Sequence, residues 1–236
     1  MFSYCSKLIS IDLLTFDLSN VENMESMFFG CSSLEKFGIY PYSYGKINKA
    51  NNLHYIKYYD FNINIQKVKY MSNLFKECKS LKFIYISFWN LTSVNNISGM
   101  FYNCYSLKSL FLGKFYLNNN ISMGYLFYNC SFLDKIDLSA FKNTYNIKSM
   151  NYLFTKCKSL KEISNLNMTN VENIEYMFWQ CSSLTFFNFN NTYKNKVTNM
   201  NGLFFECSSL TSINLIIFIL VKRFYEFYVL WMYYYY

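Results

Sequence analysis

Between Asn20 and Ile39 the chain reads NVENMESMFFGCSSLEKFGI, and its apolar positions keep two rhythms. Val21, Met24, Met27, Phe28 and Cys31 fall at i, i+3, i+6, i+7 and i+10, a spacing that predicts one apolar stripe on a short helix. The same slots hold Val68, Met71, Leu74 and Phe75, and later Val171, Ile174, Met177 and Phe178. The second half of the unit reads L-x-x-L-x-L, as in Leu107, Leu110, Leu112 and Leu133, Ile136, Leu138. Its closing period of two predicts a strand with one side buried. Neither half can hide its apolar side alone.

The unit recurs. A Phe-x-x-Cys-x-x-Leu anchor stands at Phe2/Cys5/Leu8, Phe28/Cys31/Leu34, Phe75/Cys78/Leu81, Phe101/Cys104/Leu107, Phe127/Cys130/Leu133, Phe154/Cys157/Leu160, Phe178/Cys181/Leu184 and Phe204/Cys207/Leu210, and it takes up all 8 cysteines. The cysteines are 26, 47, 26, 26, 27, 24 and 26 residues apart. The long gap accommodates a degenerate copy at 38–58, with Ile47, Ala50, Leu53 and Ile56 in the anchor frame, which makes about nine copies over residues 1–215. Stacked side by side, such copies join their strands into a parallel sheet and their helices into an opposite wall. The expected fold is an α/β solenoid of the leucine-rich repeat kind, with the sheet on the concave face and short helices on the other.

The runs M-F-x-x-C-S-S-L and N-V-x-N-M resemble the BspA-like leucine-rich repeat family, and the match covers roughly residues 1–215. That resemblance implies a cell-surface adhesion or binding role without catalysis. It speaks to fold far more than to ligand.

Composition adds constraints. Charged residues make up 15% and aromatic residues 22%, so an exposed Tyr or Phe is weak evidence of function by itself. Net charge is +8, and residues 46–82 concentrate it, with Lys46, Lys49, Lys57, Lys67, Lys69, Lys76, Lys79 and Lys82 against Asp60 and Glu77. The cysteines share the apolar stripe with Phe and Met, so Cys5, Cys31, Cys78, Cys104, Cys130, Cys157, Cys181 and Cys207 are expected to form a reduced, inward-facing structural ladder. Disulfides are the minor alternative. Metal binding is not expected, since there is no C-x-x-C and His54 is the single histidine.

Met1-Phe2 occupy the slots of Met27-Phe28, so the first copy starts inside a repeat with no apolar leader before it. This reads as a fragment of a longer product or a degraded member. Residues 38–50, with Pro41 between Gly38 and Gly45, predict a loop in place of a helix. After Leu215 the repeat stops, and 216–236 form an apolar and aromatic tail. Its uncharged run ends at Val221 before Lys222, far short of the ~20 apolar residues a membrane span needs. An amphipathic segment closing the open end and a tail without structure are the alternatives.

No catalytic constellation appears, no cofactor motif is present, and an enzyme is not expected. Asp12 and Asp137 hold equivalent strand slots several copies apart, too far to act as an acid–base pair. The strand period instead places Tyr55, Lys57, Tyr59, Phe83, Tyr85 and Phe111 on neighbouring outward rows, a candidate ligand patch for protein or glycan. Six N-x-S/T triplets begin at Asn90, Asn96, Asn120, Asn129, Asn167 and Asn190, close to background in an Asn-rich chain. The leading function is a non-catalytic binding or adhesion module, at the cell surface by resemblance. Alternatives are an intracellular leucine-rich repeat scaffold, a nucleic-acid binder prompted by the lysines, and a decayed copy without function. Sequence alone leaves the compartment, the ligand and the assembly state open.

Overall fold

Apolar positions three apart can be satisfied by a helix or by a run of tight turns, and this chain uses turns. The computed structural model describes residues 1–11, 13, 16–37, 63–86, 89–111, 116–117, 121–141, 147–188 and 196–214. Among them the single helical element is one 3-10 turn, Ser139–Phe141. The expected wall of short helices is therefore corrected to a wall of turns.

The backbone gives the reason. From the second coil on, each turn segment carries two residues in the left-handed region, four apart: Ser26 and Gly30, Asn73 and Glu77, Gly99 and Asn103, Tyr125 and Asn129, Tyr152 and Lys156, Tyr176 and Gln180, Gly202 and Glu206. A right-handed helix has no room for a φ near +60°. Hydrogen bonds show what replaces it. The N–H groups of Met24, Ser26, Phe28 and Gly30 cross to the carbonyls of Tyr70, Ser72, Leu74 and Lys76 in the next coil, at 2.8–3.0 Å. The alternate N–H groups stay at home: Met27 donates to Met24, Phe29 to Ser26 and Cys31 to Phe28. The following coils repeat the scheme up to the coil of Cys181, which donates to that of Cys207, so the wall leaves few of their donors unmet.

The Asn positions that recur from copy to copy in the N-V-x-N-M run start this wall. Asn23, Asn96, Asn173 and Asn199 each accept the N–H two residues on, at 2.8–3.1 Å, and so open the turn. Parallel bridges join the same slots from coil to coil, as Asn23 to Tyr70 to Asn96 to Ser122 and Ser149 to Asn173 to Asn199.

Opposite the turns lie short parallel strands. β1 (Lys36–Phe37), β2 (Phe83–Tyr85) and β4 (Ser109–Phe111) form one sheet, β6 (Lys135–Asp137) pairs with β7 (Glu162–Ser164), and β8 (Phe186–Asn188) pairs with β9 (Ser212–Asn214). A side ladder joins β3 (Asn90–Leu91) to β5 (Tyr116–Leu117). Register follows the repeat: Phe37 faces Ile84, Ile84 faces Leu110, and Ile136 faces Ile163.

The coils of Cys31 and Cys78 are direct neighbours, since β1 pairs with β2 and the turn segments are hydrogen-bonded to each other. The copy read at 38–58 and the tail at 216–236 lie outside the described residues. The described stack therefore has eight coils, one for each cysteine.

Inside runs a column of eight phenylalanines. Phe2, Phe28, Phe75, Phe101, Phe127, Phe154, Phe178 and Phe204 stack with centroids 5.4–5.8 Å apart and planes within 7°. A parallel, displaced arrangement at this distance suits the ring quadrupoles. Buried Met, Leu, Ile and Val surround the column in one continuous core.

Phe127 is fully buried with a ring above and below it, whereas Phe2 is only half-buried against the core. Phe127→Ala should cost about 3–5 kcal/mol, and Phe2→Ala clearly less. Urea midpoints of the two variants, followed by far-ultraviolet circular dichroism, check the order; equal losses would argue against a shared column.

Candidate functional site

The sequence places its candidate ligand patch on the strand face. On β2, Ile84 points into the core while Phe83 and Tyr85 lie half-buried on the other side, as a period of two requires. Lys36 is exposed and sits in register with Phe83. Phe111 lies opposite Tyr85 in the backbone register, but its side chain is outside the described residues. Tyr55, Lys57 and Tyr59 also lie outside them. The structure thus brings Phe83 and Tyr85 together and leaves the other members of the patch unplaced. Further along the same face come Lys135, Glu162 and the half-exposed Phe186, with Lys135 and Glu162 paired at 3.6 Å.

Asp137 is occupied by structure. Its carboxylate accepts Asn165 Nδ2 at 2.7 Å, Ser139 N at 2.8 Å and Ser139 Oγ at 3.0 Å. These bonds, the one from Asn165 foremost, hold its pKa below the usual carboxylate range. A carboxylate so engaged closes a turn and is no proton shuttle. Asp12 lies outside the described residues. Among the described residues no group of three His, Cys, Asp or Glu side chains is placed to hold a metal ion.

All eight cysteines are free thiols; seven are buried and Cys5 is exposed. No described coil lies on the outer side of Cys5. From Cys31 to Cys207, each thiol donates to the carbonyl of the anchor Phe in the preceding coil, at 2.9–3.2 Å. From Phe28 to Phe178 that carbonyl also accepts the N–H of the Cys in its own coil. The slot therefore wants a small side chain with one donor, and a thiol supplies both.

The described lysines that suggest nucleic acid have partners within the stack, most of them between coils. Lys67 donates to Asn20 at 2.8 Å, Lys69 pairs with Glu22 at 2.9 Å, Lys79 with Glu77 at 3.6 Å and Lys82 with Glu35 at 3.4 Å. Lys76 lies over the rings of Phe29 and Tyr102. Lys46, Lys49 and Lys57 lie outside the described residues.

The N-x-S/T triplets also have structural work. Asn90 and Asn167 accept both the N–H and the hydroxyl of Thr92 and Thr169, at 2.7–3.2 Å. Asn96 caps its turn in the same way, and Asn129 donates its amide to Asn103 at 2.9 Å. Asn120 and Asn190 are outside the described residues.

Sequence reasoning missed the outer side of the turn wall. Tyr125, Tyr152 and Tyr176, two residues before the anchor Phe, stack at 4.6 and 5.2 Å. One residue after the anchor come Phe29, Tyr102, Tyr128, Trp179 and Phe205. Tyr102 and Tyr128 stack at 4.5 Å, and Lys156 sits over Tyr128 and Trp179 at 5.7 and 5.4 Å. Tyr125 meets Tyr128 at 5.9 Å and Tyr176 meets Trp179 at 5.4 Å, so the two columns form one plate. Burial pushes the phenols of Tyr102, Tyr125 and Tyr152 upward, which keeps them neutral donors. The signal was present as F-[FYW]-x-C, but a helix reading spread those positions over a solvated face.

The geometry defines the class: a repeat solenoid with short parallel strands along one side of its coils and turns along the other. The model of the family described as "Mycoplasma protein of unknown function, DUF285" matches residues 1–82, 48–142, 69–192 and 110–216, and the chain belongs to that family. The overlap of the matched ranges reflects the repeat. No curated protein matches the chain. Solved structures similar to it include a leucine-rich cell surface protein of Faecalibacterium prausnitzii A2-165, with 23% identity, a TM-score of 0.46, and 63% of this chain and 36% of that one covered. A leucine-rich repeat protein of Eubacterium ventriosum has 24% identity and a TM-score of 0.42 over 79% of this chain and 44% of that one. The T. pallidum leucine-rich repeat protein has 16% identity and a TM-score of 0.46 over 95% and 87%. The chain thus spans less than half the length of the first two. No helix among the described residues is long and apolar enough to cross a membrane.

The thiol ladder has a consequence for pH. Burial holds the thiols of Cys104, Cys130 and Cys181 well above their ordinary range and that of Cys207 at about 12. An unfolded thiol titrates near ~8.5. Above that pH the unfolded chain has lost protons that the folded stack keeps, so stability is full below it and falls as pH rises. Each buried thiol can contribute up to about 1.4 kcal/mol per pH unit to the fall. Urea midpoints at pH 7, 9 and 10.5 should drop steeply over the last interval, and Cys130→Ala should flatten that drop while lowering stability at pH 7.

Proposed function

We propose that the chain is a non-catalytic binding and adhesion module of the cell-surface kind, as in the BspA-like family its repeat resembles. It takes a protein or glycan ligand on the strand face. The observation that supports this reading is how the coils divide inside from outside. Ser72 and Thr155 are the buried polar residues of the described core, and the rest of it is apolar. What remains for function is a broad, periodic surface, which is the working part of a solenoid. On the strand face Lys36, Phe83, Tyr85 and Phe186 offer rings and cations on a rigid frame, and Tyr55, Lys57, Tyr59 and Phe111 complete the proposed patch. Aromatic anchors held rigidly are where binding energy concentrates.

An intracellular interaction scaffold is the second reading. Eight free thiols favour it, since a reducing compartment preserves them. Treating intact source cells with a membrane-impermeant maleimide separates the two: Cys5 is labelled without lysis if the protein is displayed outside.

Immobilised protein screened against mucin, matrix proteins and anionic glycans should capture a ligand. The double variant Phe83→Ser, Tyr85→Ser should weaken that capture at least tenfold, about 1.4 kcal/mol, with thermal unfolding unchanged. Full affinity in the double variant rejects the strand face as the site.

A further inference from the structure

The turn wall carries a second surface with a chemistry of its own. Tyr125, Tyr152 and Tyr176 adopt φ of 58°, 56° and 49°. Bulky residues are costly there, and the equivalent slots of other coils hold the cheaper Ser26, Asn73, Gly99 and Gly202. Strain kept in three consecutive coils, all of them tyrosine, marks a row selected for its side chains. The rings are packed on one another, and Tyr125 is still 38% exposed while Phe205 at the end of the plate is 42% exposed.

Charge tells what the row suits. The chain is strongly basic, and Lys156 lies over Tyr128 and Trp179 in the plate, yet two carboxylates beside the plate belong to no ion pair among the described residues. Among the described residues the ion pairs engage Glu22, Glu35, Glu77, Glu162 and Glu172. Glu175 and Glu206 belong to none of them. Glu175 accepts Asn199 Nδ2 at 3.4 Å. Glu206 is exposed and accepts Gln180 Nε2 at 2.6 Å and Trp179 Nε1 at 3.5 Å. Both retain acceptor capacity for a cation. The wall also shows that its rings accept ammonium groups: Lys76 lies 4.7 Å from the Tyr102 centroid, and Lys156 5.4 Å from that of Trp179.

We propose that the turn-wall plate of Tyr125, Tyr152, Tyr176 and Trp179, with Glu175 and Glu206, docks a basic polypeptide segment through its arginine and lysine side chains. A guanidinium suits this place best, because its N–H fork can reach a carboxylate and a phenol oxygen at once. The site is separate from the strand face and does not depend on what binds there. A sugar is a poorer occupant, since most ring faces are taken up by neighbouring rings.

The test uses the full chain and two probes, an arginine-rich 15-residue peptide and an acidic peptide of the same length. Fluorescence anisotropy should show the basic peptide bound, against the +8 charge of the chain, and the acidic one not bound at this wall. Glu175→Gln with Glu206→Gln should weaken binding at least tenfold. Tyr125→Asn, Tyr152→Asn and Tyr176→Asn together should abolish it; Asn relieves the backbone, so the fold should hold. The strand-face variant Phe83→Ser, Tyr85→Ser should leave this binding unchanged, which separates the two surfaces. No binding of the basic peptide, or equal binding by the charge variant, overturns the proposal. So does sedimentation showing that the tyrosine substitutions abolish self-association only, since the wall would then join two copies.

Discussion

The stack depends on a single exchange of backbone hydrogen bonds. On the turn wall successive N–H groups alternate, one going to the next coil and one to a carbonyl three residues back. The first set ties coils together and the second folds each coil tightly enough to turn its apolar residues inward. Neither set suffices alone. Without the left-handed residues at slots such as Ser26 and Gly30 the carbonyls would not swing outward in alternation. Without the neighbouring coil half of the donors would be buried and unmet, a cost of about 1–3 kcal/mol each. The thiol ladder completes the scheme. A Phe carbonyl such as that of Phe28 receives the Cys31 N–H from its own coil and the Cys78 thiol from the next, so both lone pairs are used.

Much of this was legible in the residues. The Phe-x-x-Cys-x-x-Leu anchor gave the coil length, the inward face and the parallel strands, because burial leaves a spacing that chance does not imitate. The helix was misread for a definite reason. Buried corners three apart, as at Met24, Met27, Phe28, Cys31 and Leu34, mimic a 3.6 period over so short a segment. Two letters carried the correction. Gly or Asn two residues before the anchor Phe, or just before the Cys, as at Gly99, Gly30 and Asn103, is the usual mark of φ above zero. A helix has no need of it at such a fixed place. The copy read at Ile47, Ala50 and Leu53 lies outside the described residues, and the hydrogen bonds show the coils of Cys31 and Cys78 as direct neighbours.

The sites were less legible than the fold. Inward positions are dictated by packing, so their period survives in the sequence. Outward positions are free to drift, and in a chain so rich in Tyr and Phe their identity says little. Phe83 and Tyr85 could be assigned to the outer strand face from the period of two. The rows on the turn wall could not be assigned until the turn geometry fixed which slots face each other. Tyr125, Tyr152 and Tyr176 become a column because each holds the same left-handed slot.

Stacking also limits what any outward row can be. A coil repeat places each side chain about 5 Å from its counterparts above and below. A row of one charge would repel itself at that distance. The chain meets the constraint in two ways. On one side it alternates signs between coils, as in Lys69 with Glu22, Lys82 with Glu35, Lys135 with Glu162 and Lys148 with Glu172. On the turn wall it uses groups that tolerate their own kind, aromatic rings and an amide ladder from Asn129 to Asn103 to Glu77. The first solution consumes its charges internally and leaves little for a partner. The second leaves ring edges, phenol hydroxyls and two unpaired carboxylates facing water. The same repeat that holds the core together thus decides which of its faces is still free to bind.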